Sequence, residues 1–241
     1  MLALMLENTM RVEDESVAAA LPFFEGLAEK SAKDLLSGAY LQRFPSHVEL
    51  IQQGERADFL HVVVEGQIEV FSRHRGRETT VSILGPGQCF ILAAVFLDQV
   101  YLKSARTISS ARLLLLPAAA VRAVFRSDPV FAHRIAAEMA KGYRSLVKEV
   151  NNLKLRTSLE RLANWILRQA PGSGPTSSFT FPFDKKTLAG KLGVTPEVLS
   201  RNFASLIPYG VTINGKSVVV KDRALLENLA KPDPLIDDPA A

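Results

Sequence analysis

Cysteine is almost missing from this 241-residue sequence, with Cys89 the single example. A lone thiol forms no disulfide within its chain and cannot supply a cluster that needs several thiolates, so an iron–sulfur cluster is not expected. Cys89 itself reads as a small buried hydrophobe rather than a redox switch. Histidine is also sparse: His47, His61, His74 and His133 are scattered, with no pair at ligand spacing, and no metal site is expected. No apolar run approaches the roughly 20 residues that span a bilayer. The opening MLALMLENTM has neither a basic leader nor a cleavage site. Together these point away from a membrane and to the cytoplasm. Missing too are a nucleophile–base pair, metal-ligand spacing and a phosphate loop, so enzymatic chemistry is not expected.

What is present describes a globular protein with more than one part. Hydrophobic residues make up 47% and charged residues 22%, ordinary proportions for a soluble chain, and the formal charge of +4 permits a nucleic-acid partner without requiring one. Residues 1–21 read as a short amphipathic helix or a frayed arm. Residues 23–41 read as a helical entry in which Ser31 caps a turn presenting Leu35, Leu36 and Tyr40. From His47 to Pro117 the pattern changes to short strands, expected at 48–52, 59–64, 67–72, 79–84 and 111–116, with turns at Gly54, Gly66 and Gly85-Pro86-Gly87. Between the last two strands, CFILAAVFLDQ has room for one helical turn. Many short strands at near-regular spacing imply an antiparallel sandwich or roll.

Ser127-Asp128-Pro129 marks a helix start, with proline just inside the cap. The run to about Leu153 then carries Ile135, Met139, Gly142, Leu146, Val150 and Leu153 at steps of three and four, the narrow stripe of a coiled-coil seam. At 1.5 Å per residue such a helix is roughly 40 Å long, which favours a dimer seam over packing on its own sheet. Thr157 and Glu160 form a capping box for the next helix, whose buried face is Leu159, Leu162, Ile166 and Leu167. After a loop at 171–178 and a strand at 179–183 come two short helices. The first is capped by Asp184 and carries Leu188, Ala189 and Leu192. The second is capped by Thr195, with Pro196 at its first position, and Gly193 supplies the turn between them. That is a helix-turn-helix, whose second helix enters the DNA major groove. Glu197, Ser200 and Arg201 share its polar face, while Val194, Leu199 and Phe203 turn inward. Asn214-Gly215 then signals a hairpin, which makes the motif a winged helix. Asp222 caps a last helix to about Ala230, and the tail KPDPLIDDPAA reads as disordered.

In this order of parts the chain resembles the CRP/FNR superfamily of bacterial transcription regulators. The resemblance rests on GERADFLHVVVEGQIEVF at 54–71, GQCFILAAVF at 87–96 and the second helix of the helix-turn-helix. It implies an α+β fold: an N-terminal antiparallel β-roll of the cyclic-nucleotide-binding type (1–126), a long dimerisation helix (127–155) and a C-terminal winged helix-turn-helix (156–241). It also implies a homodimer, with double-stranded DNA and RNA polymerase as partners. The Pro196-Glu197-x-x-Ser200-Arg201 pattern looks like the FNR branch, with its TTGAT-like half-site. Glu197, Ser200 and Arg201 would read bases, and Lys185, Lys186, Lys191, Thr195 and Lys216 would hold phosphates. Asn202 departs from the pattern, which places an apolar residue there.

The expected effector pocket departs further. Where cyclic-nucleotide binders of the family carry a ribose-binding glutamate this sequence has Leu92, and their Arg-Ser phosphate pair reads Lys103-Ser104. Leucine accepts no hydroxyl, and lysine lacks the guanidinium fork, so cyclic AMP is not expected. The ligand positions of the carbon monoxide sensor read Ile91 and Ala93. The nitric-oxide-responsive, Dnr/NnrR-like members share the Pro-Glu-x-x-Ser-Arg helix and a cysteine-poor sensor. That makes haem the cofactor to consider, with His61 and His133 as candidate axial ligands. The alternatives are a cyclic-nucleotide-responsive regulator, or an effector-binding module that acts on a protein partner.

Overall fold

The computed structural model describes residues 12–170, 172 and 176–238. The chain divides into two compact units, residues 1–141 and 142–241. The division falls inside the long helix at 129–155.

The first unit opens with helices α1 (Val12–Ala19) and α2 (Glu29–Leu36), followed by strands β1 (Tyr40–Phe44), β2 (Glu49–Ile51), β3 (Phe59–Glu65), β4 (Ile68–His74), β5 (Arg77–Leu84) and β6 (Cys89–Phe90). Helix α3 (Leu92–Leu97), strands β7 (Ser104–Thr107) and β8 (Ala111–Pro117), and helix α4 (Ala118–Ser127) complete it, together with the first part of α5 (Pro129–Leu155). Two four-stranded antiparallel sheets, ordered β1-β8-β3-β6 and β2-β7-β4-β5, share one hydrophobic core. This is the expected β-roll.

Strand β8 lacks the alternation of a half-exposed strand, because Leu113 to Leu116 are all fully buried. One face of its sheet looks into the roll and α2 and α4 pack beside the strand, so apolar side chains are favoured on both faces. Each such leucine contributes on the order of 1.5–3 kcal/mol of burial.

Three sequence expectations need correction here. The entry helix stops at Leu36, and Tyr40 begins a strand that pairs with β8, opposite Leu115. A short apolar stretch carries too little periodicity to separate the two states, and the unpaired edge of β8 decided it. Ser31 lies within α2, where it helps hold the Asp128 carboxyl below its usual range, instead of capping a turn. Helix α4 was not foreseen; its Ala118, Val121 and Val124 are the buried stripe of one amphipathic helix. The arm expected at the amino terminus lies partly outside the described residues, which begin at the helical Val12.

Asp128 caps α5 by accepting from the Val130 and Phe131 amides at 2.9 and 3.1 Å. From there Phe131 and Ile135 are fully buried in the first core. Ile135, expected on a dimer seam, is therefore a core residue, since the first two turns of α5 lie against the roll. Farther along the stripe Met139, Leu146, Val150 and Leu153 are 42–52% exposed.

The second unit holds the rest of α5, α6 (Ser158–Gln169), β9 (Ser177–Thr180), α7 (Lys185–Lys191), α8 (Pro196–Ser205), β10 (Val211–Asn214), β11 (Ser217–Val220), α9 (Arg223–Ala230) and α10 (Pro234–Asp237). Its core surrounds Trp165, which meets the rings of Phe179, Phe181 and Phe183 at 5.8–6.0 Å. Thr157 and Glu160 form the capping box expected of them. Strand β9 runs at 177–180, slightly before the expected 179–183, because its partner β11 fixes the register through Phe179 opposite Val218. The hairpin is also shifted by one residue. Asn214 pairs with Ser217, leaving Gly215 (φ +60°) and Lys216 as the loop, with glycine at the first central position as in a type II′ turn. Of the tail at 231–241, expected to be disordered, residues 234–237 form α10, and the last three residues lie outside those described. Asp233 caps α10 by accepting from the Leu235 amide at 2.8 Å, and ion pairs at Asp237 hold it against the α5–α6 junction and α6.

Candidate functional site

Helices α7 and α8 form the helix-turn-helix, and each is started by the side chain expected to start it. Asp184 accepts from the Thr187 amide at 2.7 Å, and Thr195 from the Val198 amide at 3.4 Å. Between them Gly193 sits at φ +64°, and a Cβ built there would stand 2.9 Å from a methyl of Leu153. The turn is thus fixed both by its backbone angles and by close approach to the end of α5. Leu153, expected on the seam, is also the residue that α5 places against this turn.

Around α8 the burial splits cleanly. Leu199 and Phe203 are buried, whereas Glu197, Ser200 and Arg201 are exposed. The three expected base readers therefore share a solvent-facing surface. The Glu197 carboxyl is held below the usual range, first by a hydrogen bond from the Thr195 side chain, then by its own amide, with Arg201 adding attraction. It is a carboxylate at neutral pH and purely a hydrogen-bond acceptor. Asn202 is half-buried, its enclosed amide nitrogen without a partner among the described residues, while Phe203 fills the core beside it.

The expected phosphate contacts separate into two groups. Lys185 and Lys186 at the start of α7, Thr195 at the start of α8 and Lys216 at the tip of the β10–β11 wing are exposed. Lys191 is not with them. It is partly enclosed, its ammonium pushed below the usual lysine range by desolvation, with Glu149 opposing that shift and Arg168 adding to it. It is thus less open to a phosphate than the other lysines of this surface. An open groove between α8 and the wing is floored by Phe203, Ala204, Val211 and Ile213 and edged by Lys185 and Ser200.

Helix α6 holds this assembly through buried polar groups that the sequence did not single out. Arg161 donates to the Leu192 carbonyl at 3.0 Å and to the Arg156 carbonyl at 2.8 Å, so one guanidinium ties the end of α7 to the end of α5. Asn164 donates to the Ala230 carbonyl at 2.6 Å, at the end of α9. In LERLANWIL both look like ordinary surface residues between apolar positions. Only the carbonyls brought to them by other helices reveal the role.

In the first unit, Leu92 opens α3 and is partly buried. Lys103 is half-buried with no acceptor among the described residues, and desolvation lowers its pKa. Ser104 is buried, and its hydroxyl accepts from the Gln53 amide at 3.0 Å. Before Leu92 stands Ile91 at φ +67°, a left-handed conformation that is rare for a β-branched residue. Burial first, then Glu138, pushes the Cys89 thiol up to about 12, so it is no nucleophile at neutral pH. The two candidate haem histidines occupy unlike settings. His133 is exposed on α5, while His61 is fully buried on β3 and stacked on Phe90 at 5.0 Å. Neither His61 ring nitrogen makes a well-aligned hydrogen bond among the described residues, and burial depresses its pKa to about 4, with the nearby Phe59 backbone offsetting only part of that. Among the described residues no three His, Cys, Asp or Glu side chains gather as a metal site, and no helix is long and apolar enough to cross a membrane.

Comparison with known proteins agrees with this geometry. Residues 41–128 match the cyclic nucleotide-binding domain, and residues 160–229 match the Crp-like helix-turn-helix domain. The cyclic AMP receptor protein of Thermus thermophilus is 31% identical over 214 residues, covering 87% of this chain and 96% of that protein. A CRP-like cAMP-activated global transcriptional regulator of Mycobacterium tuberculosis is 22% identical, over 90% of this chain and all of the relative. Among solved structures, FixK2 of Bradyrhizobium japonicum shares the fold with a TM-score of 0.67 at 21% identity, covering 79% of this chain and 96% of that one. With both units matched in one order and a relative of this similarity aligned along nearly its whole length, the chain belongs to the CRP/FNR family of DNA-binding transcription regulators, which are not enzymes.

Proposed function

We propose that this chain acts as a homodimer on an FNR-type, TTGAT-like palindrome and answers to a small effector. The observation that carries the reading is the exposed Glu197, Ser200 and Arg201 surface of α8, flanked by Lys185, Lys186 and Lys216. Arg201 donates bidentately to guanine O6 and N7, and Glu197 accepts from a base amino group. Each good bidentate pair discriminates by roughly 1–3 kcal/mol. Ser200 is small enough to lie beside a thymine methyl. The lysines and Thr195 hold phosphates and carry no sequence information. The exposed stripe of Met139, Leu146, Val150 and Leu153 is the dimer seam in this reading, because contiguous apolar side chains seek a partner. Two recognition helices would then stand roughly 34 Å apart, one DNA turn. RNA polymerase, and the cytoplasm as the place of work, belong to the same reading.

For the effector, nitric oxide acting through haem is supported by His61, whose buried, neutral imidazole is in the protonation state that ligates a metal. When bound, haem would supply the iron that captures the gas; the chain's part is to present His61 inside an apolar unit. A cyclic-nucleotide response is favoured by one observation, the unpaired Lys103 at the phosphate-binding position, and by the relatives' names. Against it, Leu92 offers the ribose no acceptor. An absorption spectrum of protein from a haem-sufficient host separates the two. A Soret band that shifts with nitric oxide supports haem, and a featureless spectrum with calorimetric binding of cyclic AMP overturns it.

The DNA reading is tested by titration. Arg201→Ala should remove the preference for the palindrome, whereas Lys216→Ala should weaken all duplexes about equally. Equal affinity of the unaltered protein for the palindrome and a scrambled duplex would sink the proposal.

A further inference from the structure

The carboxyl-terminal tail makes the densest ionic contacts of the second unit. The Asp237 carboxylate meets both terminal nitrogens of Arg156, at 2.8 and 2.5 Å, and Arg168 at 2.7 Å, and accepts from the Asp233 amide at 2.8 Å. Lys148 of α5 donates to the Asp238 carbonyl at 2.7 Å. The side chains of Arg156 and Asp237 are only 7% and 12% exposed. Arg156 stands between the end of α5 and the start of α6, and it also donates to Asn152 of α5 at 3.2 Å. Its carbonyl accepts from Arg161, which reaches the last carbonyl of α7. A continuous set of hydrogen bonds thus runs from the tail, through the α5–α6 junction, to the helix-turn-helix.

The composition of this knot explains why an acidic tail belongs there. Lys148, Arg156, Arg161, Arg168 and Lys191 gather on α5, α6, α7 and the junction, with Glu149 and Glu160 as the carboxylates nearby. Enclosing Arg156 without a carboxylate would leave a buried charge uncompensated, and removing one partner of a buried pair is far costlier than never having built it. The sequence places Asp233, Asp237 and Asp238 on the one segment that folds back over this cluster, and Pro234 starts its single helical turn.

We infer that residues 232–238 are a strap that locks the junction between α5 and α6, with Asp237 as its latch, so that the tail sets how the helix-turn-helix is held for DNA. With the latch made, Arg156 is fixed between α5, α6 and α10 and the junction has one geometry. With the latch open, Arg156 turns to solvent and the junction gains freedom. Anything that draws the tail away, a protein partner or proteolysis after Ala230, would loosen the DNA-binding elements without touching the base readers.

The test uses the full chain, Asp237→Asn, Asp237→Glu, and a chain ending at Ala230, compared by hydrogen exchange and DNA titration. Asparagine keeps the shape and removes the charge, so exchange across residues 148–160 should accelerate on the order of tenfold or more, the equilibrium equivalent of about 1.4 kcal/mol. Truncation should do the same, and glutamate should restore part of the protection. Amides of β9–β11 and of β3 should exchange as in the parent. Unchanged exchange at 148–160 in both the asparagine and the truncated chains overturns the proposal. So does acceleration as strong in β9–β11 as at 148–160, which would make the tail merely part of the domain's core. In the DNA arm the truncated chain should lose at least fivefold in affinity for the TTGAT duplex, and an unchanged affinity refutes the coupling to DNA. That arm rests on the half-site proposed above, whereas the exchange arm does not, so the two failures are distinguishable.

Discussion

Replacing His61 with leucine removes an ionisable group from the middle of the β-roll at nearly constant volume, and the structure fixes how the result should depend on pH. In the unfolded chain the imidazole titrates near its ordinary value of about 6.5. In the folded chain burial against Phe90 lowers it to about 4. Above the unfolded value both states carry a neutral ring and the folded protein loses nothing. As pH falls through this window the unfolded chain takes up its proton first, so stability drops until the folded pKa is reached. Between pH 7 and pH 5 that linkage amounts to about 2 kcal/mol, and near pH 4 the total approaches ~3 kcal/mol. The leucine variant lacks it. Its urea-unfolding free energy should match or exceed the parent's at pH 7, since the cost of burying two polar ring nitrogens is gone. The gap should then widen by about 2 kcal/mol at pH 5. Circular dichroism is the suitable probe, because the one tryptophan, Trp165, lies in the other unit. Parallel stability curves for the two proteins across pH 5–7 would refute the reasoning and show that His61 is protonated, or solvated, in the fold.

Two further outcomes follow from the second unit. Gly193→Ala places a β-carbon at a left-handed position and 2.9 Å from Leu153, so unfolding followed by Trp165 fluorescence should show a loss on the order of 1–3 kcal/mol; Gly215→Ala, which meets nothing within 4 Å, should cost less. Thr157→Ala removes the hydroxyl of the capping box and should cost about 1 kcal/mol in the same assay. The Glu160 carboxyl is held below its usual range by the Thr157 amide and hydroxyl. The contribution of the box should therefore be present above the ordinary glutamate range and fade as pH falls through the lowered value.

Local chemistry made much of this protein legible in advance. Asp184, Thr195, Asp222 and the Thr157–Glu160 pair start the helices they were expected to start, because a cap needs only a side-chain oxygen and amides two or three residues away. The split of α8 into buried Leu199 and Phe203 and exposed Glu197, Ser200 and Arg201 follows from 3.6-residue periodicity alone. The five strands expected between His47 and Pro117 were found for a similar reason, since turns rich in glycine punctuate them.

Tertiary structure decided whatever depended on a distant partner. Tyr40 became a strand residue because β8 offered an edge, and Ile135 became core because the first turns of α5 lie on the roll. Lys191 is partly enclosed where Lys185 is open, although both lie on α7. Asp237 is the fullest case. In sequence it is one acid in a proline-rich tail, and only the folded chain brings Arg156 and Arg168, 81 and 69 residues away, to its carboxylate. Periodicity and capping are properties of neighbours along the chain and can be read there. Burial, ion pairing and the final environment of a charge are properties of neighbours in space, and no local pattern records them.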